Sequence, residues 1–173
     1  MNLFLRNSAT NFACELELPE CLHDTHIVFN SFVDAKKVID ANDQQIILCN
    51  GLKSASDKEF EFLWRKMQAS ENQEERLVLI NALACYNKDY ALKDFLESTI
   101  DNFVETQYFS HEPLEVIKAV SKQSVGFEVA LNFLIEYNDH NISKHYQKNM
   151  NEVIEEISMK IISQNNVYKV RWS

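Results

Sequence analysis

The chain has 173 residues, enough for one domain of ordinary size and barely enough for two. Only two glycines (Gly51, Gly126) and two prolines (Pro19, Pro113) occur, which excludes turn-rich all-β folds and glycine-looped doubly wound α/β folds. With 46% hydrophobic and 25% charged residues the chain is globular, and a net charge of -9 argues against a nucleic-acid surface and hence a nucleic-acid partner.

The expected fold is therefore all-α. In chain order, Pro19 opens a segment whose apolar residues Cys21, Leu22, Ile27, Val28, Phe32 and Val33 recur at roughly helical spacing. Ser56-Asp57-Lys58-Glu59 fits a capping box, with Phe60, Leu63 and Trp64 following on one face. Ser70-Glu71-Asn72-Gln73 fits a second, opening a helix through Leu77, Leu79, Ile80, Leu83 and Ala84. Ser110-His111-Glu112-Pro113 reads as a third start, because proline in a first turn costs no hydrogen bond. A last segment, about Ser143 to Ser163, spaces Met150, Val153, Ile154, Ile157 and Ile161 along one face. Eight to nine helices are expected.

Three apolar helices also carry a small residue in a similar setting. Gly51, Ala82 and Ala119 lie 31 and then 37 residues apart, and Leu63, Phe95 and Leu131 follow them by 12 or 13 positions. A small residue in the first helix of a pair lets the second approach, and the large residue fills the gap. Periods of this length belong to α-solenoids, so the expected architecture is a HEAT- or armadillo-like stack of antiparallel helix pairs.

No run of 18 apolar residues spans a bilayer, and neither end reads as a signal peptide or lipid-anchor signal. The sequence holds no H-E-x-x-H, G-x-S-x-G, P-loop or C-x-x-C, so catalytic and metal-binding residues are both read as none. Histidines stand at 23, 26, 111, 140 and 145. His23 and His26 share a face near Glu20 and Asp24, but read as solvated surface histidines. The acidic groups around Glu71 to Glu75 and Glu152 to Glu156 read as solvated faces or first-turn charges. Trp64 reads as core.

The four cysteines allow three pairings. Cys14 and Cys21 stand seven apart across Pro19, within reach of a turn. Cys49 and Cys85 lie beside the small residues Gly51 and Ala82, where close helix approach permits a bond. Spacing alone leaves the choice open, since cytosolic proteins keep thiols reduced. One sequon, Asn141-Ile142-Ser143, stands in the polar joint before the last helix, where a glycan suits an extracellular protein.

These residues carry a family resemblance. Asn11-Phe12-Ala13-Cys14 with Leu18-Pro19-Glu20-Cys21, and Ile47-Leu48-Cys49-Asn50-Gly51 with Glu59-Phe60-Glu61-Phe62-Leu63-Trp64, resemble two segments of the C-terminal helical domain of zinc aminopeptidases. Leu79-Ile80-Asn81-Ala82-Leu83-Ala84-Cys85, and Val125-Gly126 with Ala130 and Phe133-Leu134, resemble two more. The family is that of aminopeptidase N and the endoplasmic-reticulum aminopeptidases, and the insect midgut type is the most similar.

The resemblance implies disulfides Cys14–Cys21 and Cys49–Cys85 and a single helical domain over residues 1–173 that closes over a catalytic domain and limits peptide access. It implies zinc in that catalytic domain and no cofactor in this chain. It also implies an extracellular or plasma-membrane-associated setting, glycosylation at Asn141, and a parent that removes N-terminal residues from peptides. The implied partners are that catalytic domain or a peptide substrate, with a homodimer as a further option. Gln44 stands where the family often has an arginine five residues before the second-helix cysteine, so that arginine's substrate contact does not carry over. The chain stops soon after Trp172, so it resembles a truncated domain that lacks the closing helices. The alternative is an independent helical adaptor, which free thiols would favour over paired ones.

Overall fold

The computed structural model describes residues 12–14, 16, 18–35, 37–101, 112–137, 153–155 and 157–159. Among them every regular element is a helix. Seven helices are α1 (Pro19–Ala35), α2 (Gln44–Lys53), α3 (Asp57–Ala69), α4 (Gln73–Leu83), α5 (Asp89–Asp101), α6 (Glu112–Lys122) and α7 (Ser124–Tyr137). The chain divides into two units, Met1–Lys88 and Asp89–Ser173. In the first unit α1 packs on α2, α2 on α4 and α4 on α3. In the second, α5, α6 and α7 pack pairwise around one another.

Local chemistry accounts for most helix starts. Pro19 is the first residue of α1, where its missing N–H has no intrahelical acceptor to lose. Glu59 reaches back at the start of α3, and its Oε2 accepts the Ser56 N–H at 2.6 Å, as the capping-box pattern requires. Pro113 falls in the first turn of α6. At α4 the structure corrects the sequence reading. The cap is Asn72, whose Oδ1 accepts the Glu74 N–H at 2.9 Å and the Glu75 N–H at 3.2 Å. Ser70 ends α3 instead, and its hydroxyl donates to Glu75 Oε2 at 2.6 Å.

A second correction concerns α1. Its buried residues are Thr25 and Phe29, whereas Ile27 is 51% and Val28 37% exposed. The less exposed stripe runs through 22, 25, 26, 29, 32 and 33, a spacing of three and four that leaves 27 and 28 outside it. It sets Phe29 against Gly51 of α2 and Phe32 against Phe62 of α3. On α3 the face Phe60, Leu63 and Met67 is buried as the spacing requires, with Trp64 half-buried against the Phe60 ring edge at 5.7 Å. Val153 and Ile157 of the last segment are buried and Ile154 is exposed, while Met150 and Ile161 lie outside the described residues.

The small residues behave as close-approach points, although the partner at the first is not the one expected. Gly51, Ala82 and Ala119 are all buried. A Cβ on Gly51 would lie 2.2 Å from Phe29 Cγ and 2.6 Å from Phe29 Cβ. The ring that uses this space therefore comes from the preceding helix α1, not from Leu63. Leu63 and Phe95 are fully buried, and Leu131 is half-buried. Gly126 permits the one-residue turn between α6 and α7, since a Cβ there would lie 2.3 Å from the Val120 carbonyl oxygen.

Gly51→Ala is accordingly expected to destabilise the chain by about 2 kcal/mol, because overpacking outweighs alanine's helix propensity of about 1 kcal/mol. Urea denaturation checks this, and a neutral or stabilising effect would contradict the packing.

Candidate functional site

A groove is formed among the described residues of the first unit. Residues 37–39, which precede α2 in the chain, line this groove of about 420 Å³ together with side chains of α1, α2, α3 and α4. Phe32, Val38, Ile39, Leu48, Phe62 and Leu79 make its apolar wall, and Lys37, Gln44, Lys66 and Glu75 supply the polar groups. The Phe32 and Phe62 rings meet edge to face, with centroids 6.1 Å apart. Gln44 donates from Nε2 to the Ile39 carbonyl at 3.4 Å, a long bond that ties α2 to the stretch before it. Lys66 and Glu75 form an ion pair that joins α3 to α4. The hydrogen bond from Lys66, and next that from Ser70, hold the Glu75 carboxyl below its ordinary value of 4.5. Its stabilisation is full above 4.5 and is lost as the pH falls through the lowered value.

Two further polar constellations brace this unit. Arg76 sits on the buried stripe of α4 and is 2% exposed. Its Nη1 donates to the carbonyls of Met67 at 2.7 Å, Gln68 at 3.3 Å and Ser70 at 3.2 Å. A cation thus closes the C-terminal end of α3, where carbonyls lack intrahelical donors and the helix dipole is negative.

The second constellation joins residues 86–88 to the start of α3. Buried Tyr86 donates to Asp57 Oδ1 at 2.5 Å, Lys88 donates to the same oxygen at 2.8 Å, and the Tyr86 ring stacks on Phe60 at 4.5 Å. Burial first, and the Asp57 bond second, push the Tyr86 phenol up to about 12. Its folded value exceeds the unfolded 10, so this stabilisation is complete below pH 10 and fades as the pH rises toward 12. Alkaline spectrophotometric titration should show one phenol ionising near pH 12 that Tyr86→Phe removes; an unchanged curve would contradict this.

The cysteines are paired. Cys14 is bonded to Cys21 and Cys49 to Cys85, with Cα–Cα distances of 5.3 and 5.2 Å. The resemblance implied this pairing, which spacing had left open. Cys49 belongs to α2, and Cys85 stands just beyond α4, whose packing on α2 it staples. Gln44 lines the groove five residues ahead of Cys49.

The histidine pair is separated in role. His23 is exposed. The His26 Nε2 meets Asn30 Nδ2 at 3.0 Å and its Nδ1 meets Ser54 Oγ at 3.5 Å, beside the end of α2. Glu112 is fully buried at the start of α6, whereas His111, His140, His145 and the sequon at Asn141 lie outside the described residues. Glu71, just ahead of the α4 cap, and Glu74, in the first turn of α4, are both exposed.

Among the described residues no three His, Cys, Asp or Glu side chains gather to hold a metal ion, so these residues do not fit a zinc site. Among the same residues no helix is long and apolar enough to cross a membrane.

Sequence reasoning missed the groove because its wall is assembled from five separate stretches of chain. It missed Arg76 although a signal was available: this arginine is in register with Leu79, Ile80 and Leu83.

Comparison with known proteins places these features in a family. Residues 1–171 match the family described as "ERAP1-like C-terminal domain". Human aminopeptidase Q is 30% identical over 135 residues, which is 78% of this chain and 13% of that protein. Aminopeptidase N of Plutella xylostella is 28% identical over 148 residues, 83% of this chain and 15% of that protein. The thyrotropin-releasing hormone-degrading ectoenzyme of Rattus norvegicus is 22% identical over 130 residues, 75% of this chain and 12% of that protein. The chain thus spans about one-seventh of the length of these relatives. By the match over residues 1–171, the chain belongs to the ERAP1-like C-terminal domain family.

Proposed function

We propose that this chain acts as a non-catalytic helical domain that covers the active-site chamber of a zinc aminopeptidase and controls which peptides enter. The observation that carries the reading is the family match over residues 1–171, with relatives named as aminopeptidases. The proposed architecture is a solenoid of helix pairs, whose extended concave face suits a chamber wall. The packing of α3 on α4 and of α6 on α7 across short turns supports that arrangement. Two disulfides support an oxidising compartment, hence an extracellular or membrane-associated setting with a glycan at Asn141. The proposed partners are the catalytic domain of the parent enzyme and the peptide in transit, with a second copy as the alternative.

Metal analysis and an aminoacyl-nitroanilide assay of the purified chain test the non-catalytic assignment. The expected result is neither stoichiometric zinc nor turnover. One zinc per chain, or turnover that a chelator abolishes, would overturn it.

A further inference from the structure

The groove over α2, α3 and α4 has the make-up of a small-molecule site. Its volume of about 420 Å³ lies within the range of ligand pockets, and its wall is largely apolar with a few convergent polar groups. The charges at that wall are not equivalent. Lys66 and Glu75 neutralise each other as an ion pair. Lys37 is exposed, and among the described residues it has no carboxylate partner. The Gln44 amide carries two N–H donors, and the one bond it makes is long, so it retains capacity to donate. The groove therefore presents one unneutralised cation and one amide beside an apolar channel between the Phe32, Leu48 and Phe62 side chains.

We propose that this groove binds a medium-chain aliphatic carboxylate, with the tail among Phe32, Leu48 and Phe62 and the headgroup on Lys37 and Gln44. The charge pattern selects the headgroup. A dianion such as a phosphate monoester would keep one negative charge uncompensated, because Lys66 is held by Glu75 and Lys37 alone is left to meet it. An ammonium headgroup would meet Lys37 and find Glu75 already engaged by Lys66. A monoanion leaves the Lys66–Glu75 pair intact and gains a charge-assisted hydrogen bond from Lys37. The tail gains by removing apolar wall and aliphatic surface from water together. This inference stands independently of the access-control reading.

Titration calorimetry of the full chain with dodecanoate below its micellar concentration tests the proposal, with dodecanol and dodecylammonium as controls. The expected result is one dodecanoate per chain and dodecylammonium binding at least about tenfold more weakly. Lys37→Gln should weaken dodecanoate about five- to tenfold while leaving dodecanol unchanged, and Lys37→Arg should restore the difference. Both substitutions are at an exposed position, so the fold is not at risk. Equal affinity for the three headgroups, or an equal loss on Lys53→Gln, would overturn the assignment. So would a self-associating chain whose groove a second copy occupies, seen as sedimentation that dodecanoate leaves unchanged.

Discussion

Replacing Cys49 and Cys85 together by alanine is expected to lower stability by about 3.8 kcal/mol. The bond closes a loop spanning a sequence separation of 36, and loop-closure entropy sets that magnitude for an unstrained crosslink. The Cys14–Cys21 bond spans a separation of only 7, so its removal should cost less, about 2.5 kcal/mol. The difference has a structural side too. Cys49–Cys85 holds α2 against the end of α4, and α4 in turn packs on α3. Guanidinium denaturation of the two double variants measures both losses. A smaller loss for the 49/85 pair than for the 14/21 pair would contradict the account.

Arg76→Met is expected to cost about 3 kcal/mol, although methionine is apolar and fits a buried stripe well. The arginine serves three carbonyls at the end of α3, and an apolar replacement leaves buried acceptors without their donor. The loss should fall on the α3–α4 hairpin first, because the hydrogen bonds bridge Met67, Gln68 and Ser70 to α4. Arg76→Lys should recover only part of it, since an ammonium lacks the planar fork of donors. Thermal unfolding gives the magnitude, and amide exchange at residues 67–72 locates it. A stabilised Met variant would mean that packing, not carbonyl satisfaction, governs this position.

How far these features were legible differs from element to element. The start of α1 at Pro19 and the Glu59 back-bond to Ser56 are short-range chemistry, so the sequence pattern suffices for both. The cap of α4 is harder. Ser70 and Asn72 each stand three residues before a Gln or Glu, so the pattern admits both. The decision comes from α3, whose end takes Ser70 and leaves Asn72 to accept two N–H groups. Apolar content alone misassigned Ile27 and Val28, because the inner stripe of α1 is set by its neighbour α2 and by the ring of Phe29 against Gly51.

Long-range placement sets the remaining limits. The cysteine pairing needed a resemblance, since spacing admits three pairings. The groove depends on residues 37–39 meeting side chains from 62 to 79, a juxtaposition no local period encodes. Arg76 was visible only as a cation in register with buried leucines, and its acceptors lie six to nine residues earlier across a turn.

The access-control reading is tested most directly by a length ladder of peptides. The proposed parent aminopeptidase is assayed with and without this helical segment, on each peptide and on a small aminoacyl amide. The account predicts that without the segment the amide is still hydrolysed while discrimination by peptide length is lost, and that adding the chain back restores it. An unchanged length profile without the segment, or loss of amide hydrolysis along with it, would contradict the account.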